Sequence, residues 1–399
     1  MWNRLSKSIT SLLLGSTLAF TLNTPVAAQE TVKVGTIYSM TGTNASAGRS
    51  AMAGIRMALE EVNRAGGILG KRVEIVQGDD QGDTAAAVSE ALRLTTVNKV
   101  DFVMGPGLSQ LAIAIAPTIN NAGILWLSNT TASGRLTTQF APRHFSTLYS
   151  STTQAAAYAA AIQAGKYKSV AIMADDGSSA QDTISALKTL LKEKNFPITG
   201  EQTWHFGDAD MTAQELDLRR GNPDVLLIHA NTGGDGGHVL KSLEEIGWRV
   251  PLIGSLAYTA QPIQARDVVG AEALKKVPSI AYAGMSACSN DPVGQSPYAQ
   301  FLAKLRKAQP ADFDKLSLLN AASGYDGIHI LRYAATGAGS LNGDKMTAWL
   351  EQNASSMKLI YAPTRASKTD HFMLGADSLT LGIDVANLRP DGTIRRAGC

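Results

Sequence analysis

From Val32 onward, short apolar runs alternate with amphipathic stretches along the chain. The runs "VKVGTIY", "VEIVQ", "DFVMG" and "ILWLS" suit strands buried on both faces of a sheet. From Ser46 to Arg64, Met52, Ile55, Leu59 and Val62 recur at helical spacing, Arg56, Glu60 and Arg64 fall on the other side, and "AGG" supplies a helix stop. Continuous apolar strands joined by helices predict a parallel sheet covered on both faces.

The same alternation restarts after the polar interval "FSTLYSSTTQ". Strands are expected at "SVAIMA", "DVLLIHA" and "VPLIG", with helices near Ala180 to Lys194 and Gly236 to Ile246. A further run, "SIAYAG", precedes a long helical segment ending near Ala338 that is too small for a domain of its own. The expectation is an α/β protein of two doubly wound parallel-sheet lobes with a ligand cleft between them. The first lobe is placed at residues 29–148 plus about 282–354, the second at 149–281 plus about 355–399, which includes "DSLTLGIDVANLRPDGT". In open parallel sheets ligands bind beyond the carboxyl ends of the strands, so the residues just after each strand become the candidates.

The N-terminus changes the picture of where the protein works. Residues 1–28 carry Arg4 and Lys7, an apolar stretch from Leu12 to Leu22, and small residues before Gln29, the pattern of a secretory signal peptide cut after Ala28. The apolar stretch is shorter than the roughly 20 residues of a membrane span and is broken by Ser and Thr. Cleavage would leave about 370 residues, more than one core usually holds. The formal net charge is +2, and losing Arg4 and Lys7 brings it close to neutral, which argues against a nucleic-acid or anionic-membrane partner. Cys288 and Cys399 are too few for a zinc cluster, and in an oxidising compartment they are able to pair, although Cys399, as the last residue, is expected to fray.

Motifs for nucleotide binding and catalysis are incomplete. "GGILGKR" has Arg72 where a phosphate loop needs Ser or Thr, and "GPGLSQ" has Gln110 at the third glycine position of the dinucleotide fingerprint. The histidines at 144, 205, 229, 238, 329 and 371 are scattered, and no Gly-x-Ser-x-Gly elbow occurs. Asp79/Asp80 and Asp175/Asp176 follow strands, where loop carboxylates commonly cap the next helix. No enzyme, cofactor or metal is called for.

What remains is a set of neutral hydrogen-bonding groups at strand ends. Ser109 and Gln110 open the helix "SQLAIAIAP", a position from which a helix end holds a carboxylate without a buried cation; the same serine also suits a helix cap. Thr130 and Thr131 follow "ILWL", and Asn231 and Asp235 follow "DVLLIHA", with Asp235 either accepting from an ammonium or hydroxyl group or stabilising the helix dipole. Tyr149 at the crossing between lobes and Tyr258 after "VPLIG" are candidates for aromatic walls or for hinge packing.

Taken in order, "VKVGTIYSMTGTNASAGRSAMAGIRMALEEVNRAGGILGKRVEIVQGDDQGD", "GPGLSQLAIAIAPTINNAGILWLS" and "GYDGIHIL" resemble the periplasmic solute-binding receptors of branched-chain amino acid type that feed ABC importers. The resemblance implies the type I binding-protein fold, three chain crossings, one small-molecule solute, a permease in the inner membrane as partner, and a monomer. It places Ser109 on a ligand carboxylate, Thr130 and Thr131 in the loop after the fourth strand, and Asp235 where an acidic residue holds the amino group of amino-acid ligands. The chain departs from that pattern with Ala132 for the usual threonine, an aspartate for the usual glutamate, and "DDGSSAQD" without the usual tyrosine. "HANTGGD" looks more like the branch associated with other small organic acids, aromatic carboxylates among them. The expected function is thus an exported, non-enzymatic receptor for an amino acid or small carboxylate. A sensor of the same fold and an exported α/β hydrolase are the rivals.

Overall fold

A computed structural model describes Trp2 and residues 30–42, 44–361 and 363–399; apart from Trp2, the expected signal peptide at 1–28 lies outside the described residues. The first half runs β1 (Thr31–Tyr38), α1 (Ala45–Arg64), β2 (Arg72–Asp79), α2 (Thr84–Leu92), β3 (Phe102–Met104), α3 (Ser109–Ala122), β4 (Leu125–Ser128) and β5 (His144–Ser146). These strands form a sheet of order β2-β1-β3-β4-β5, parallel throughout. The order reverses at β1, so the crevice between β1 and β3 is its switch point.

The chain then crosses into α4 (Ser151–Ala164), β6 (Val170–Asp175), α5 (Ser178–Glu193), β7 (Ile198–Trp204), α6 (Thr212–Arg220), β8 (Val225–His229), α7 (Gly233–Glu245) and β9 (Leu252–Gly254). Three short helices, α8 (Leu256–Ala260), α9 (Pro262–Val269) and α10 (Ala271–Leu274), lead to β10 (Ser279–Tyr282) and β11 (Ser286–Ala287). Last come α11 (Pro297–Ala308), α12 (Leu318–Ala338), α13 (Gly343–Asn353), β12 (Leu379–Ile383) and β13 (Ile394–Arg396). The second sheet has the order β11-β13-β12-β10-β9-β8-β6-β7. From β7 to β10 it is parallel and repeats the arrangement of the first sheet, with its own switch point between β6 and β8. Beyond β10 the parallel pattern ends, because β12 pairs antiparallel with β10 and β13 antiparallel with β12.

The amphipathic face read from the sequence is the buried face of α1: Met52, Ile55 and Val62 are inside while Arg56, Glu60 and Arg64 are exposed. That face packs on α12, and the two backbones touch. A Cβ on Gly54 would lie 1.8 Å from the Ala321 carbonyl oxygen, and one on Gly324 would lie 2.3 Å from that of Ala51. Ile328, Leu331, Met346 and Leu350 of α12 and α13 share a core with Val32, Val34 and Phe102, so these late helices cover the first sheet. Residues 371–373 also return to it: Ser146 N donates to His371 O at 3.0 Å and Met373 N donates to Ser146 O at 2.9 Å. The segment expected in the second lobe from about residue 355 therefore touches both sheets.

Cys399 does not fray. It forms a disulfide with Cys288, Cα atoms 5.4 Å apart. The cause is local topology: β11 and β13 pair in parallel through Ser286/Ile394 and Ala287/Arg395, and this brings the two cysteines that follow them side by side.

Candidate functional site

A cavity of about 80 Å³ lies where the two switch points face one another. Roughly 10–15 Å³ holds one water, so the space admits several waters or a small solute. Its walls come from the loop after β3 (Gly107 to Gln110), the loop after β4 (Thr130, Ala132), the crossing (Leu148, Tyr149) and the end of β8 (His229, Ala230, Asn231). No Asp, Glu, Lys or Arg is among the described residues that line it.

The first lobe presents donors. Gly105, after β3, has φ +100, and a Cβ there would sit 1.9 Å from the Ile37 carbonyl oxygen, so only glycine lets this loop press against β1. Leu108 holds the extended backbone position before α3, and Ser109 is the first helical residue, without a capping hydrogen bond of its own. Instead Ser109 Oγ accepts from Ala132 N at 3.1 Å and Ser133 N at 3.3 Å. With both acceptor sites taken, the hydroxyl proton is left to donate. Thr130 Oγ1 donates to Gly107 O at 2.6 Å, which ties the two loops together. The start of α3 adds unpaired backbone N–H groups and partial positive charge.

The second lobe presents both kinds of group. Asp175, at the end of β6, accepts from Gly177 N at 2.9 Å, Asn231 N at 2.6 Å and Asn231 Nδ2 at 2.6 Å. Burial pushes its carboxyl up to about 7 against the opposing pull of those N–H groups. With one amide N–H committed to Asp175, Asn231 keeps its carbonyl oxygen and its second N–H for a solute. His229 is buried and held neutral, its pKa lowered by burial to about 4. Gln154 Nε2 donates to Tyr158 OH at 3.3 Å, and Tyr158 OH lies 3.0 Å from His229 Nδ1. The direction of the Tyr158–His229 bond follows the ring's tautomer, and in its Nε2–H form the imidazole is a donor.

Among the residues picked from the sequence, Ser109, Gln110, Thr130, Tyr149 and Asn231 line the cavity together. Thr131 does not: it is fully buried behind the loop, bonded to Ser128 Oγ, and its carbonyl accepts from Ser146 Oγ at 2.6 Å. Tyr258 lies in the second-lobe core, donating to Gly236 O at 2.9 Å. Asp235 lines an adjoining cavity of about 290 Å³, with Oδ2 unpaired among the described residues and its carboxyl raised by burial to about 6. Asn44, Ala47 and Gln261 wall both spaces. Ser255, which caps α8 right after β9, carried the strand-end signal and was passed over; Gln154 and Asn320 sit inside helices, where no such signal exists.

The carboxylates after β2 and the serine–histidine contact in the first-lobe core are tied into local hydrogen bonds. Asp79 accepts from Met40 N and Gln81 N, and Asp80 from Ser39 Oγ and Gly82 N. Ser128 Oγ and His144 Nε2 lie 2.6 Å apart but are sealed in the core, with the imidazole lowered by burial to about 3. Among the described residues no cluster of metal-binding side chains occurs, and no helix is long and apolar enough to cross a membrane.

The two lobes also meet directly outside the cavity. Ser133 Oγ donates to Asp182 on α5, and Arg135 Nη2 donates to Ser178 Oγ at 2.7 Å.

The family described as periplasmic binding protein matches residues 31–378. The Leu/Ile/Val-binding protein homolog 7 of Brucella abortus (strain 2308) is 25% identical over 259 residues, 61% of this chain and 63% of that protein. Leu/Ile/Val-binding protein BraC3 of Rhizobium johnstonii is 28% identical over 252 residues, 62% of this chain and 66% of that protein. The match spans less than two thirds of the length of these curated relatives. Among solved structures, a type 1 periplasmic binding protein from Bordetella pertussis Tohama I superposes with TM-score 0.79 at 20% identity, covering 92% of this chain and 99% of that one. The solute-binding protein of an ABC transporter from R. palustris, in complex with 4-hydroxybenzoate, gives 0.75 at 19% identity, covering 92% and 95%. At such identities the structures speak for the fold alone.

Proposed function

This chain belongs to the periplasmic binding protein family, and from that premise we propose that it is an exported receptor that closes two lobes over one small organic solute. The observation that carries this reading is the cavity at the paired switch points, walled by neutral hydrogen-bonding groups from both lobes. A solute able to touch Ser109 and Asn231 at once gains most when the lobes are shut, so it draws the population toward the closed state. The lobes proposed to close are residues 29–148 plus about 282–354, and 149–281 plus about 355–399.

The solute is a small organic acid. Ser109 and the α3 terminus favour a carboxylate, while the cavity has no acidic side chain to hold an α-ammonium group. Asp235, one cavity away, is the reserve for a longer ligand that carries a donor. Names among the relatives point to branched-chain amino acids, and one structural neighbour was solved with an aromatic carboxylate. The receptor acts as a monomer and hands its solute to an inner-membrane importer. The Cys288–Cys399 bond supports work outside the cytoplasm, where disulfides persist.

A thermal-shift screen of the refolded, ligand-stripped protein against amino acids, aliphatic acids, aromatic carboxylates, amides and urea tests this. A micromolar binder at millimolar concentration adds about 4 kcal/mol and moves the melting point by several degrees. Stabilisation by acids lacking an amino group is expected. A response confined to amino acids would reassign Asp235 to the ammonium, and a flat response across the panel would remove small-solute capture as the function.

A further inference from the structure

A third cavity, of about 200 Å³, opens between α9, the turn after α11 and the C-terminal loop, away from the two described above. It brings together three guanidinium groups from distant parts of the chain: Arg266, Arg306 and Arg389. Arg266 and Arg306 are exposed at its rim, whereas Arg389 is only 7% exposed. Arg389 Nη2 donates to Asp291 O at 2.6 Å, but its Nη1 is buried with no hydrogen-bond partner among the described residues. A guanidinium stays charged at any ordinary pH, and a buried donor left unpaired is costly, so this group calls for an acceptor.

The nearby carboxylates do not answer that need. Asp391 feels the charge of Arg389, which helps hold its carboxyl low, but it accepts its hydrogen bonds from Gly294 N and Thr393; Asp267 reaches Arg266 only at 3.7 Å, and Asp314 is one acid on a wall with three cations. Arg306 is held in place by stacking over Phe313, 4.3 Å from the ring centroid. The remaining walls are apolar, with Ile263, Leu318 and Leu388 among them.

We propose that this cavity is a second ligand site, selective for small organic anions with a carboxylate head and an apolar body. The head pairs with Arg266 and Arg306 at the rim, above the buried charge of Arg389, and the body lies along Ile263, Leu318 and Leu388. The site stands apart from the solute cavity, since the two share no lining residue.

Hexanoate is the probe, with acetate as the tail-less control and chloride at matched ionic strength as the salt control, titrated into the ligand-stripped protein by calorimetry. One hexanoate is expected to bind per chain, acetate more weakly, and chloride without a saturable signal. The double variant Arg266→Gln/Arg306→Gln, which alters only exposed side chains, should weaken hexanoate by roughly tenfold or more, as loss of charge-assisted hydrogen bonds does. Ser109→Ala should leave it unchanged. Hexanoate binding that survives the double variant, or that disappears in Ser109→Ala, places the anion elsewhere and overturns the proposal. So does heat that follows ionic strength alone. Loss in Ser109→Ala would assign hexanoate to the central cavity instead, whereas survival in the double variant alone leaves the central cavity's own solute open.

Discussion

Ser109 and Ala132 are joined across two loops by a hydrogen bond in which the serine oxygen accepts, at 3.1 Å, from the backbone N–H that follows Thr131. This contact, with its companion from Ser133, makes Ser109 an obligate donor toward the cavity and fixes the spacing of the two first-lobe loops.

Ser109→Ala should therefore weaken solute binding by roughly 1–3 kcal/mol, the range for a hydrogen bond to a charged group. Calorimetry with whichever acid the thermal screen identifies would measure it. A dissociation constant that does not move would reduce Ser109 to a loop brace.

Arg135 and Asp182 line none of the three cavities, yet each bridges the lobes when they are shut. Replacing either with Ala should cost about 0.5–1.5 kcal/mol of affinity, the range for a net polar bridge, with the change falling on the rate of release. Stopped-flow release rates equal to wild type would show that closure is held by the solute alone.

Glu215 is buried without a partner for either carboxylate oxygen among the described residues, and burial, with repulsion from Asp210 and Glu245 added, raises it to about 9. An acid whose folded pKa lies above its unfolded value contributes stability that is complete below the unfolded pKa and is lost as pH rises through the folded one. Glu215→Gln keeps the shape and never ionises. Its stability advantage over wild type should grow between pH 4.5 and 9, by at most about 1.4 kcal/mol per pH unit. Urea denaturation across that range would test this, and a difference independent of pH would mean that the folded protein carries Glu215 ionised.

The Cys288–Cys399 bond closes a separation of 111 residues. Cys399→Ser should lower stability by about 2–5 kcal/mol, and wild type under reductant should match the variant. Equal denaturation midpoints with and without reductant would indicate that β11 and β13 hold the C-terminus unaided.

Legibility in the sequence followed burial. Strands β1, β3, β6 and β8, at the two switch points, are continuous apolar runs and stood out; β7, an edge strand reading "ITGEQTW", has one buried residue and gave no such signal. The antiparallel pair β12 and β13 was similarly hidden, since its residues are mostly half-buried. At the site, strand ends led to Ser109, Thr130 and Asn231. They also led to Thr131 and Tyr258, because proximity to a strand end does not say which way a side chain turns. Thr131 turns to Ser128, and Tyr258 to the backbone of α7. The Gln154–Tyr158–His229 relay depends on contacts across 71 residues, which no local pattern encodes.

The late return of the chain to its first sheet has a consequence for how the protein comes into being. The strand β1 begins at Thr31, but its covering helices end at Asn353 and the chain that extends β5 does not arrive until Phe372. A polypeptide that appears N-terminus first thus carries an unroofed sheet through most of its synthesis. The first sheet gains its last helices and its last strand contact only after the second sheet's parallel strands have been made. On the export route proposed above, this order of assembly would keep the chain pliable until the end.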